Sequence, residues 1–241
     1  MNSMKPPCKL DQALADRITH NLAQFDILEQ DLLGRTQAAV AFTLVDRSEP
    51  AAIASIPHCD EFRSQAAFIL TTRNSKLSKH AGQRAYPGGR VDPGETAQQA
   101  ALRELEEEVG LQLDAARVLG RLDDYATRSG YVITPFVLWG GSGVRLTPNT
   151  DEVEKIHRIP LDELLRDDAP ILEDIAECEH PVLKMPLGDK WFAAPSAAIA
   201  YQFREVALLG KNTRVAHFEQ LSTDNIFDPP PKCIELVSTS D

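Results

Sequence analysis

The 241-residue sequence predicts a layered domain of the α/β or α+β class. Short β-rich apolar runs alternate irregularly with stretches whose apolar residues recur at helical spacing, the pattern of a sheet covered by helices. The length and a hydrophobic content of 43% suffice for one large domain with a full core, so no disulfide or metal is needed merely to fold. No internal repeat or low-complexity tract interrupts the chain, and no apolar run approaches the roughly 20 residues that cross a bilayer.

Taken in order, residues 10–33 carry apolar side chains at helical spacing and read as one or two amphipathic helices, an N-terminal extension over 1–35. Residues 37–45 (QAAVAFTLV) and 66–72 (AAFILTT) have the length and composition of buried strands. A long loop rich in Arg, Lys, Gly and Pro spans 73–94, and a helix follows over 95–109. Gly110 stands where a left-handed cap residue belongs. Strands are expected at 116–123, 131–139 and 153–158, and a short helix near Leu161, after Pro160. The stretch 195–209 opens with Pro195, keeps helical spacing and stops at Gly210. The tail, 216–241, contains three consecutive prolines and reads as extended or partly disordered.

Acidic residues outnumber basic ones 36 to 25, for a net charge of −11. This argues against general nucleic-acid binding, which wants a basic face, but leaves room for a small anionic ligand in a local basic pocket. Cys8, Cys59, Cys178 and Cys233 form no ligand spacing, so reduced thiols in a cytoplasmic protein are expected, with no disulfide framework or zinc site. The N-terminus shows no apolar core of a secretory signal, and no membrane association is expected.

The chemistry concentrates at residues 103–108 (RELEEE). At 100° per residue Ala101, Leu102, Leu105 and Val109 share one arc, the core face. Glu104 and Glu108 stack on its edge, Glu107 lies next around the cylinder, and Glu106 points away. Like charges at this spacing cost a few tenths of a kcal/mol per pair, and a hard divalent cation reverses that sign. Oxygen donors with no His or Cys nearby favour Mg²⁺ or Mn²⁺. Before the helix, Pro87-Gly88-Gly89-Arg90-Val91-Asp92-Pro93-Gly94-Glu95 forms a turn-rich loop whose paired glycines permit backbone conformations closed to other residues and let a carbonyl face a ligand or metal.

Gly89, Glu95 and then Arg103-Glu104-Leu105-Glu106-Glu107-Glu108-Val109-Gly110-Leu111 resemble the Nudix box at every specified position over 89–111. The resemblance implies an α/β/α sandwich around a mixed sheet over 36–215, and cation-dependent hydrolysis of a nucleoside diphosphate linked to another moiety. It makes Glu104 and Glu108 the leading metal ligands, with Glu107 in support. Arg103 becomes an orienting cation partnered by Glu95 or Glu107. Glu95 is either a water-mediated ligand or a structural partner, and Gly88 or Gly89 offers a backbone carbonyl to the cation. The resemblance further suggests a catalytic base before a later strand, and Glu152 in Asp151-Glu152-Val153 fits that place.

Upstream, Leu70-Thr71-Thr72-Arg73, Gly82 and Tyr86-Pro87-Gly88-Gly89 resemble the extra motif of the coenzyme A pyrophosphatase subgroup. Asn74 stands where that motif has Ser or Ala, and Ser78 where it has a second Arg. Losing that Arg removes a bidentate phosphate contact that Lys does not fully reproduce. Arg73, Lys79 and Arg84 are the candidate substrate contacts, with Lys76 and His80 nearby. Trp191, Phe192 and Tyr201 either flank a bound ligand or belong to the core. The partner implied is a small nucleotide, coenzyme A or an acyl-CoA, and a homodimer is compatible with this reading. The rival readings are a pyrophosphatase for ADP-ribose or dinucleotides, and a non-hydrolytic nucleotide sensor. The intact Glu95, Arg103, Glu104, Glu107 and Glu108 set argues against the sensor.

Overall fold

The strand expected at 37–45 runs from Thr36 to Asp46 (β1) and is the axis of the molecule. The structure is a computed structural model that describes residues 8–49, 51, 53, 55, 56, 63–75, 82–175 and 178–220. β1 is buried on both faces, and its side chains divide by the two-residue period of a strand. Ala39, Ala41 and Val45 enter one core, Phe42 and Leu44 the other.

Seven further strands complete a mixed sheet. Parallel to β1 lies β7 (Tyr131–Gly141), and antiparallel to its end lies β2 (Ala66–Arg73). On β2 pair β3 (Arg84–Ala85) and β8 (Val153–Pro160). The short β4 (Gly88–Arg90) pairs with the start of β1, while β5 (Val118–Arg121) and β6 (Tyr125–Ala126) pair with β7.

Among the described residues three α-helices cover the sheet. α2 (Ala97–Val109) packs Ala100, Ala101, Leu105 and Val109 against Ala39, Ala41, Ala67, Ile69, Phe136 and Leu138 on one face. On the other, α1 (Gln12–Ala23) and α3 (Ser196–Gln202) share a core with Phe42, Phe68, Leu70 and Tyr86. This is the expected α/β/α sandwich around a mixed sheet. The apolar face of α1 (Leu14, Ile18, Leu22) is part of the main core.

Three features differ from the sequence reading. Residues 24–33 are not helical, because tertiary bonds take their backbone: Leu28 N–H donates to Asp123 at 2.8 Å, Gln30 N–H to Asp124 at 3.1 Å, and Leu28 C=O accepts from Asp124 N–H. A second, three-stranded antiparallel sheet appears, made of β9 (Ile171–Glu173), β10 (Val182–Leu187) and β11 (Lys190–Ala193). The helix expected over 195–209 is α only to Gln202 and then widens to a π-helical turn over Phe203–Leu208 before Gly210. The expectation of reduced thiols is also corrected: Cys178 is disulfide-bonded, whereas Cys8 is free. Most of the tail, 221–241, lies outside the described residues, and among the described residues no helix is long and apolar enough to cross a membrane.

Candidate active site

α2 is fixed at both ends by its own sequence. Thr96 Oγ1 accepts from Gln99 N–H at 3.2 Å, and the Gln99 side chain accepts from Thr96 N–H at 2.8 Å, a reciprocal cap. Gly110 closes the helix at φ 70°, where a side chain would be strained. The ends of α2 are therefore set, and the packing of Ala101, Leu105 and Val109 on the sheet fixes the rotation that turns Glu104 and Glu108 toward β4.

The two glycines of β4 make that approach possible. A Cβ on Gly89 would stand 2.1 Å from Glu104 Oε1, and a Cβ on Gly88 would meet Ala39 O at 2.5 Å and Val40 Cγ1 at 2.6 Å. One carboxylate and one strand backbone thus occupy the volume that side chains would fill. The backbone N–H of Gly88 favours the charged form of Glu108.

Arg103 organises the acidic face. Its Nε and Nη2 donate to Glu95 at 2.9 and 3.1 Å, a bidentate pair. Its Nη1 donates to Glu104 and to Glu107, both at 2.9 Å, and its Nη2 also reaches Arg90 C=O at 3.1 Å. Glu95 further accepts from Asp92 N–H at 3.0 Å, so both of its oxygens are engaged in holding the loop to the helix. The Arg103 hydrogen bond holds the Glu95 carboxyl below its ordinary value, and the same pairing pushes the guanidinium up.

Glu108 is the electrostatically costly member. Its side chain is 3% exposed, and its nearest cation, Arg73 Nη1, is 3.9 Å away. Burial pushes its carboxyl up to about 8, with Arg73 and the Gly88 N–H opposing the rise and Glu104 and Glu152 adding to it. Burial also raises Glu104, against the pull of Arg103. Glu152 acts on both of these groups, so the loop before β8 brings it beside the helix even though its own side chain is exposed.

Among the described residues no three His, Cys, Asp or Glu side chains form a closed ligand cage. The donor set still fits a hard cation. The carboxylates of Glu104, paired with Arg103, and of Glu108, 3.9 Å from Arg73, lie in a partly desolvated place, and Mg²⁺ is commonly held by one or two carboxylates with water and substrate phosphate completing the shell. Glu107 is more than half exposed and tied to Arg103, next to this pair.

The other expected contacts divide. The Arg73 guanidinium sits at the carboxylates, and its Nε is buried without a hydrogen-bond partner. Arg84 is the register partner of Thr72, which places both side chains on the face of Phe68 and Leu70. That face is opposite the one carrying Arg73, and there Thr72 Oγ1 hydrogen-bonds His157 at 2.8 Å. Lys76, Ser78, Lys79 and His80 lie outside the described residues. Phe192 belongs to the main core, Lys184 Nζ lies 4.0 Å from the Trp191 ring centre, and Tyr201 packs on Phe218. Tyr86 is buried among Phe42 and Phe68 and donates to Ser196 C=O, so it anchors the glycine loop to the core. Asn74, named from the sequence only as a departure from the subgroup motif, and Asn149 fasten the Glu152 loop; their polar type in tight turns is the available signal.

The chain is 41% identical over 105 residues to a protein of Yersinia enterocolitica described as an uncharacterized Nudix hydrolase NudL, covering 43% of this chain and 54% of that one. A Yersinia pestis protein of the same description is 40% identical over 104 residues, 43% of this chain and 52% of the other. The chain thus spans about half the length of these curated relatives. Among solved structures, a MutT/nudix family protein from Enterococcus faecalis aligns at 16% identity with a TM-score of 0.43, over 71% of this chain and 54% of that one. The MutT protein from Methanosarcina mazei aligns at 17% identity with a TM-score of 0.39, over 59% and 84%. The NUDIX domain family matches residues 51–177, just over half of the chain and all of the carboxylate helix and its Glu152 loop. With its acidic helix held over a paired-glycine strand by one arginine, this chain belongs to the NUDIX domain family.

Proposed function

We propose that this chain hydrolyses the pyrophosphate linkage of nucleoside diphosphate derivatives with Mg²⁺ or Mn²⁺, and that coenzyme A or an acyl-CoA is its substrate, giving 3′,5′-ADP and 4′-phosphopantetheine (or its acyl form). The observation that carries the reading is the Glu104–Glu108 pair: Glu108 is buried with its nearest cation 3.9 Å away and is repelled by Glu104, a half-buried carboxylate that shares Arg103 with Glu95 and Glu107. When bound there, a divalent cation would lower the pKa of the attacking water and neutralise charge on the phosphates. Glu104 and Glu108 would hold it, with Glu107 in support, and Arg103 keeps the ligands oriented. Glu152, exposed at the rim, would take the proton of the water. Arg73, whose guanidinium is partly exposed beside Glu108, supplies a donor for a phosphate oxygen.

The coenzyme A reading rests on the Arg73, Gly82 and Tyr86-Pro87-Gly88-Gly89 pattern leading into this site. Its test is a substrate panel of coenzyme A, ADP-ribose, NADH, diadenosine polyphosphates and nucleoside triphosphates with Mg²⁺ or Mn²⁺, the products resolved by chromatography. Cleavage of coenzyme A ahead of the others supports the reading. Cleavage of ADP-ribose or dinucleotides with coenzyme A left intact overturns the substrate assignment and keeps the reaction class.

A further inference from the structure

The loop that carries Glu152 is fastened at both ends. At its start Thr147 N–H donates to Val109 C=O at 2.9 Å and Asn149 N–H donates to Glu108 C=O at 3.0 Å, tying the loop to the backbone of the buried carboxylate itself. Within it, Glu152 and Val153 N–H both donate to Asn149 C=O, at 3.0 and 2.8 Å. At its far end Asn74, the first residue after β2, takes hold: its N–H donates to Glu152 C=O at 2.8 Å and its Nδ2 donates to Thr150 C=O at 2.6 Å. Glu152 has an exposed side chain, so what these bonds fix is the place from which that side chain departs.

We propose that Asn74 is a positioning residue for Glu152: its side-chain amide clamps the Thr150–Glu152 turn to the end of β2 and so holds the Glu152 carboxylate beside Glu104 and Glu108. This deepens the hydrolytic reading of the site and rests on it. The position is one where the chain departs from the resembled subgroup motif. Ala lacks the donor, and Asp of the same shape turns an acceptor toward the Thr150 carbonyl.

A double-mutant cycle tests it. Asn74→Ala is expected to lower kcat about tenfold with KM changed less than about twofold, a plausible loss for a misplaced catalytic group. In a Glu152→Gln background the same substitution is expected to change kcat by less than about twofold, because the group it positions is gone. An equal fall in both backgrounds makes Asn74 merely structural and overturns the proposal, as does an unchanged kcat in Asn74→Ala. Asn74→Asp must behave at least as badly as Ala, and it serves the cycle if the Ala variant does not fold. Amide hydrogen exchange gives a readout independent of turnover: Glu152 and Val153 amides are expected to exchange at least about tenfold faster in Asn74→Ala. Unchanged exchange overturns the clamp whatever the activity. Faster exchange with no loss of kcat in Glu152→Gln keeps the clamp's geometry but removes Glu152 from the reaction, and with it the positioning role. If the wild-type protein cleaves nothing in the panel, the hydrolytic reading itself fails, and faster exchange then marks a structural clamp only.

Discussion

Replacing the Glu108 carboxylate by the isosteric amide, Glu108→Gln, separates the cost of that charge from its use. In the chelated protein the Glu108 carboxyl is raised from 4.5 to about 8, so the folded state prefers its neutral form. The stability it contributes is therefore complete below pH 4.5 and is lost as pH rises through about 8. That rise corresponds to at most about 5 kcal/mol, at about 1.4 kcal/mol per unit. If about 2 kcal/mol of it is realised at pH 8.5, Glu108→Gln melts roughly 4–8 °C above wild type in EDTA at that pH, for a chain of this size. At pH 5 the two proteins should melt together. Thermal melts from pH 5 to 9, with EDTA and with Mn²⁺, are the assay. Mn²⁺ should raise the wild-type Tm most at high pH and raise that of Glu108→Gln far less, while kcat of the variant falls at least about 100-fold. A variant less stable than wild type in EDTA at pH 8.5, with an undiminished response to Mn²⁺, would refute the reasoning.

The remaining predictions concern the neighbours of that charge. Arg103→Ala strands Glu95, Glu104 and Glu107 together and should lower stability by about 1–3 kcal/mol while weakening Mn²⁺ binding by calorimetry; an unchanged Tm and Mn²⁺ affinity with a raised KM would assign Arg103 to the substrate. Gly89→Ala displaces only the end of the Glu104 side chain and should cut kcat more than about tenfold with little change in Tm, whereas Gly88→Ala strikes the backbone of β1 and should lower Tm. The opposite ranking of the two melting temperatures would contradict the packing described. Arg73→Ala should raise KM for coenzyme A and dephospho-coenzyme A equally if Arg73, which lies beside Glu108, meets the pyrophosphate; a rise confined to coenzyme A would move it to the 3′-phosphate.

The parts of this molecule that were legible in the sequence are those where local pattern and tertiary burial agree. β1 and β2 are continuous apolar runs because both faces of the central sheet are covered, and α2 shows its period because one stripe faces Ala39, Ala67 and Ile69. The angular placement of Glu104 and Glu108 follows from that helical period alone. What could not be derived is set by distant partners. The segment after Ala23 has helical spacing, yet Asp123 and Asp124 take its amides. The small sheet over 171–193 was overlooked because Pro181 and Pro186 interrupt the apolar run. The turn at Gly188-Asp189, flanked by Val182–Leu187 and Lys190–Ala193, was the hairpin signal available. Arg84 was grouped with Arg73 by sequence proximity and local charge, and only strand register shows that the two point to opposite faces. The disulfide of Cys178 carried no spacing signal.

The central proposal is that water attacks the pyrophosphate of coenzyme A at the Glu104–Glu108 site. Hydrolysis of coenzyme A in ¹⁸O-water with Mg²⁺, followed by mass spectrometry of the products, tests it most directly. The account predicts one ¹⁸O in the phosphate of either 3′,5′-ADP or 4′-phosphopantetheine, no release of inorganic phosphate, and no product in EDTA or from Glu108→Gln. Coenzyme A recovered intact, or cleaved at its 3′-phosphate with the pyrophosphate whole, would contradict it.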